Sequence, residues 1–173
     1  MCIRDSLEEI SLSKELIKAV CSSDESSQKR VFNIVDLKNR IKSIINLNEN
    51  DNFVEIQKVI TRVSKLANNS NLSRDVLSKR DYINTKLFEK DCELKVFAFI
   101  GELEKLFSEG YCNYLELLNL FEINVKTIDD LFDNEKGVLI MSEDLKIRNN
   151  RLNLLSLIRN YSLKIADFTL LNS

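Results

Sequence analysis

Lys146, Arg148, Asn150 and Arg151 crowd into one short stretch near the C-terminal end of the chain. Cationic and amide side chains gathered at the start of a helix can reach phosphates and the edges of unstacked bases, which is the chemistry of RNA contact. Asn150 and Arg151 stand among apolar neighbours, so for these two a role in tying helix ends together by hydrogen bonds and ion pairs has equal weight. Lys146 and Arg148 are the freer candidates. A second basic set, Lys38, Lys42, Lys58, Arg62 and Lys65, lies on the polar sides of two apolar-periodic segments and could meet a phosphate backbone, although a charged helix face is more often only solvated. Tyr82, in a polar loop, is kept as a candidate for stacking on a base. Tyr111, Tyr114 and Phe121 sit at spacings that more often complete a core.

Catalytic chemistry is harder to build from these residues. The sequence contains no histidine, which removes every Ser–His and Cys–His nucleophile pair. Cys2, Cys21, Cys92 and Cys112 are scattered without a C-x-x-C pair, the wrong pattern for a structural zinc or a disulfide framework. Asp129 with Asp130 and Glu143 with Asp144 are paired carboxylates, but near helix starts such pairs serve as caps and dipole partners. No glycine-rich loop is available to cradle a nucleotide phosphate. We therefore assign no catalytic residue, no metal ligand and no bound cofactor.

The elements that must position these residues read as helices. Proline is absent and glycine occurs only at Gly101, Gly110 and Gly137, so the usual punctuators of sheet corners are nearly missing. With 44% hydrophobic and 30% charged residues the chain has the composition of a folded domain, and at 173 residues of one domain. The net charge of −2 announces no global basic field, so any nucleic-acid contact is local. The longest apolar runs, such as Val96 to Ile100, fall far short of a membrane span.

Apolar spacing predicts a helix over Leu7 to Val20, with a polar break at Ser22 to Ser27, and a second over Gln28 to about Leu47 on Ile34, Leu37, Ile41 and Ile44. After a polar loop at Asn48 to Asn52, a third helix carries Ile56, Val59, Ile60, Val63, Leu66 and Ala67 inward. Asn68 to Asn84 is a long loop with apolar residues enough for a short helix. Leu87 to Phe107 is expected as the central core helix, with Val96, Ile100 and Leu103 packed against Leu152 and Leu155. A shorter helix is expected over Tyr111 to Phe121 and a further turn ending at Phe132. Val138 to Met141 reads as a buried connector because a lone strand would have no partner. Ser142 is expected to cap a last helix running to about Ile165.

Several stretches in fixed order carry a resemblance. Ile128-Asp129-Asp130-Leu131-Phe132-Asp133, Val138-Leu139-Ile140-Met141-Ser142-Glu143-Asp144, Arg148-Asn149-Asn150-Arg151-Leu152-Asn153-Leu154-Leu155 and Ala166-Asp167-Phe168 together resemble the DALR-type anticodon-binding domain that closes the β subunit of bacterial glycyl-tRNA synthetases. Upstream, Arg62 to Leu66 and Leu87-Phe88-Glu89 with Glu93 resemble further elements of that subunit, so the likeness spans roughly residues 19 to 173. Thr127 and Leu131 depart from the family pattern. Arginyl-tRNA synthetase carries a related helical domain and is the nearest alternative; a helical module that contacts only protein is another.

The resemblance implies an all-α helical bundle that grips the anticodon arm of glycine tRNA, in a cytoplasmic α2β2 assembly whose α subunit binds glycine and ATP. Met1 to Ser6 match the translated end of a sequencing adapter. The organisation expected is thus residues 1–6 as an artefact, 7–27 as a helix and linker from a preceding region, and 28–173 as the anticodon-binding domain.

Overall fold

In a computed structural model, residues 14–22, 33–48, 53–108 and 113–171 are described. They contain six α-helices: α1 (Lys14–Ser22), α2 (Ile34–Asn48), α3 (Phe53–Ala67), α4 (Asp91–Ser108), α5 (Tyr114–Asp129) and α6 (Leu145–Ser162). Three short 3-10 turns, Thr85–Leu87, Asp130–Phe132 and Phe168–Leu170, join them. No strand occurs among the described residues, so the fold is all-α. The adapter-like Met1 to Ser6, Leu7 and Ile10 of the first helix, most of the break after Ser22, the loop at Glu49 to Asn52, and Gly110, Tyr111 and Cys112 lie outside the described residues.

The apolar periodicities translate directly into a shared core. Val96, Ile100 and Leu103 of α4 are fully shielded from solvent, as are Leu155 and, nearly, Leu152 of α6. Phe99 meets Phe121 of α5 edge-on at 5.5 Å between ring centroids, a favourable geometry for two buried rings. α6 packs most extensively against α3. Ser156 and Arg159 of α6 both bond the carbonyl of Ala67, at the end of α3. Phe53, at its start, touches Phe168 beyond the end of α6, so the two helices run antiparallel.

α1 is drawn into the same bundle: Ala19 and Val20 are fully buried, and the Asp167 N–H donates to the Ala19 carbonyl at 2.8 Å.

Where the chain is irregular, α6 supplies the order. Residues 68–84 form turns with no regular helix, and a loop of this length needs its backbone groups satisfied by something other than itself. Arg159 donates to the carbonyls of Ala67 and Leu72, Asn160 to those of Ser73 and Val76, and the Tyr161 hydroxyl to that of Leu77. Burial pushes the Tyr161 phenol up and the Arg159 guanidinium down from their ordinary values.

Several elements differ from expectation: α4 begins at Asp91, with Leu87 in the 3-10 turn before it, and α6 ends at Ser162 and not near Ile165. The helix read as Tyr111 to Phe121 begins at Tyr114 and continues unbroken to Asp129, since nothing between Phe121 and Thr127 interrupts it. The connector is only partly buried: Ile140 is inside, while Leu139 and Met141 are exposed. The last helix is capped by Asp144, not Ser142; the Asp144 carboxylate accepts the N–H groups of Lys146 and Ile147, and Ser142 accepts that of Asp144. These backbone donors, Ile147 first, hold the Asp144 carboxyl below its usual range.

Gly137 is buried in the turn before the connector. A Cβ there would collide with the Asp133 carbonyl oxygen and sit 2.6 Å from that of Leu131, both backbone atoms that cannot swing aside. Gly137→Ala is expected to cost about 1–3 kcal/mol, as other overpacked sites do, read as a lower urea midpoint. An unchanged midpoint would show that the turn yields freely.

Candidate nucleic-acid interface

The first turns of α6 carry the cluster that the sequence singles out, and the fold sorts its members by direction. Asn150 faces inward and clips one residue of the loop: its amide oxygen accepts the Asn84 N–H at 2.7 Å while its amide nitrogen donates to the Asn84 carbonyl at 3.0 Å. Arg151 is also buried. Its Nε donates to Glu93 at 2.9 Å, one terminal nitrogen to the Leu139 carbonyl at 3.0 Å, and the other to Glu89. The tie between helix ends, offered above as one reading of these two side chains, is the one their contacts describe.

Lys146 and Arg148 stand apart from these bonds. Lys146 is exposed and Arg148 half-exposed, and neither has an ionic partner among the described residues. Side chains three or four apart on a helix share a face. Lys146 therefore rises on the side of Asn150 and the loop at Asn84, and Arg148 on the side of Arg151 and the connector at Leu139.

Tyr82 joins them from far away in sequence. Its carbonyl accepts the Asn153 amide at 3.0 Å, one turn along α6 from the Asn150 clip, and the residue is 41% exposed with no ring partner among the described residues. Two asparagines of α6 thus lay residues 82–84 along the helix. Asn150 and Asn153 share a side of α6 with Lys146, so exposed Tyr82 and the adjoining 3-10 turn with Lys86 are anchored by their backbone to that side. Leu139, Met141 and Leu145 expose apolar surface on the connector side.

The second basic set does not form one stripe. Lys42 lines a groove between α2 and the start of α5, with Asp36, Asn39 and Tyr114 among its neighbours, while Lys38 is half-buried. Lys58, Arg62 and Lys65 line a separate cleft on α3. Tyr114 is committed to the fold, its hydroxyl donating to Asp36, and Phe121 is core.

Sequence reasoning did not find Asn153, Arg159 and Asn160, which anchor the loop, or Lys86. Polar residues recurring through an otherwise apolar helix were the available signal, because a helix buried all round must spend its polar groups internally.

Fold and surface together define the class: an all-α module that uses one buried helix to display a cationic, aromatic-bearing face. No family model matches the chain. The glycine–tRNA ligase beta subunit of Picosynechococcus sp. is 31% identical over 157 residues, covering 89% of this chain, and that of Trichodesmium erythraeum is 31% identical over 166 residues, covering 94%. The beta subunit of Persephonella marina is 32% identical over 157 residues, covering 90%. The chain belongs to the glycine–tRNA ligase beta-subunit family. It spans 22%, 23% and 20% of the length of these three relatives, respectively.

Proposed function

We propose that this chain is the tRNA-gripping region of a glycine–tRNA ligase beta subunit and that its α6 face contacts the anticodon arm of glycine tRNA. In this reading the ATP-dependent formation of glycyl-adenylate and the transfer of glycine belong to a separate α subunit in a cytoplasmic α2β2 enzyme. This region contributes by holding the substrate in place, which converts an encounter into a positioned reaction. No helix among the described residues is long and apolar enough to cross a membrane.

The observation that supports the anticodon reading best is that exposed Tyr82 is tied through its carbonyl to Asn153, on the side of α6 that carries Lys146. An unpaired loop base has a π-face to lay on an exposed ring, and the phosphates that flank it need cations within reach. Stacking of this kind contributes about 1–3 kcal/mol per base, and each phosphate contact shows as salt dependence.

The test is the double variant Tyr82→Ala with Lys146→Ala in the intact two-subunit enzyme. The KM for glycine tRNA should rise about tenfold or more, while pyrophosphate exchange, which needs only glycine and ATP, stays at the wild-type rate. A wild-type KM for tRNA would remove this face from the interface. Binding to protein alone, the competing reading that exposed Leu139, Met141 and Leu145 allow, would show little weakening as salt rises.

A further inference from the structure

Lys58, Arg62 and Lys65 lie along α3 at intervals of four and three residues, so they share one side of the helix. That side forms one wall of a cleft of about 420 Å3, and the final 3-10 turn forms the other. The walls are fixed by hydrogen bonds. Gln57 donates to the Leu171 carbonyl at 2.6 Å, the Thr61 hydroxyl to that of Phe168 at 3.3 Å, and the Thr169 hydroxyl to the Asp167 carboxylate.

The charges in the cleft are poorly balanced from within. The Arg62 guanidinium lies 4.2 Å over the Phe132 ring, and its acidic neighbour, Asp129, is 3.9 Å away with more than half of each side chain exposed. Lys58 and Lys65 have no acidic partner among the described residues, and no carboxylate lines the cleft among them. Three cations held on one concave wall repel one another, and an anion shared between them relieves that repulsion. A base has nothing to stack on here, because Arg62 already covers the face of Phe132. A phosphodiester needs only cations.

Resting on the tRNA reading above, we propose that this cleft seats a backbone phosphate of the RNA, as a second point of grip apart from the Tyr82 face. The antiparallel packing of α3 on α6 sets the cleft toward the C-terminal end of α6, whereas Lys146 is in its first turn. The two points are thus built by different elements, the cleft by α3 with the final 3-10 turn and the other by the start of α6. A contact made only to phosphate is independent of sequence, so the cleft adds affinity and orientation and leaves discrimination to the other face.

The experiment compares Lys58→Ala with Lys65→Ala, as a double variant of the intact enzyme, with Lys58→Arg with Lys65→Arg and with the Tyr82 and Lys146 double variant. Binding of glycine tRNA is measured across a salt series. The alanine pair should bind more weakly and flatten the logarithmic salt slope by about 0.7 to 0.9 per lost contact, and the arginine pair should restore the slope. Binding of an unrelated tRNA should lose the same increment.

A wild-type slope for the alanine pair overturns the phosphate seat. If the Tyr82 and Lys146 variant is impaired in that case, the tRNA reading survives it. If the wild-type enzyme itself shows no salt-dependent tRNA binding, both fall together. A slope lost in the alanine pair and left unrestored in the arginine pair would mean that the lysines act through local structure, which also overturns the proposal.

Discussion

Replacing Arg151 with alanine is expected to destabilise the domain by about 3–5 kcal/mol, the range for removing one partner of a buried ion pair. Glu93 is fully buried, and its carboxylate is held by Arg151 on one oxygen and by the N–H groups of Glu89 and Lys90 on the other. Without the guanidinium, a buried negative charge keeps only those backbone donors. The Leu139 carbonyl also loses its donor, which loosens the connector leading into α6. Burial by itself would lower the Arg151 pKa, but the hydrogen bonds it donates to Glu93 and then Glu89 outweigh it and raise the value.

Urea unfolding followed by circular dichroism would measure the loss, and the double variant Glu93→Gln with Arg151→Met should recover part of it by removing both charges. A loss under about 1 kcal/mol, the scale of an exposed pair, together with weakened tRNA binding would mean that Arg151 serves the RNA and not the fold.

Ile100→Ala should cost about 2–5 kcal/mol. Ile100 is fully buried on α4, as are Val96 and Leu103 on the same stripe. Part of the cost is the lost transfer of the side chain from water, and the remainder is the cavity left behind. The denaturant midpoint should fall with an unchanged slope, because the surface exposed on unfolding is nearly the same. A cost equal to that of a surface change, such as Glu102→Ala on the same helix, would show that the register of the central helix is wrong.

The two variants act through different physics, which separates them experimentally. The Ile100 site has no charge to neutralise, so no second substitution of the polar kind rescues it. The Arg151 site is rescued by neutralising its partner. Both should leave the exposed Tyr82, Lys58 and Lys65 in place, so on the proposed tRNA contact any loss of affinity in either variant should follow the fraction unfolded.

The sequence by itself determined the class of fold and the inward faces of its helices. Apolar residues spaced three and four apart identified α3 and α4, and Val96, Ile100, Leu103, Leu152 and Leu155 all lie in the core. That is legible because burying a stripe of side chains is a property of one helix, repeated along its own sequence. The order of short motifs near the C-terminus likewise placed the chain in its family.

Only the tertiary structure decided where the polar residues point. Asn150 and Arg151 share a short stretch with Lys146 and Arg148, yet two serve the loop and the buried ion pair and two reach solvent. The loop at Tyr82 meets α6 only through long-range hydrogen bonds from Asn150 and Asn153. One basic set became a groove at Lys42 and a cleft at Lys58, Arg62 and Lys65. A side chain's hydrogen-bond partners are fixed by whichever distant backbone the packing brings beside it, and helical periodicity carries no record of that neighbour.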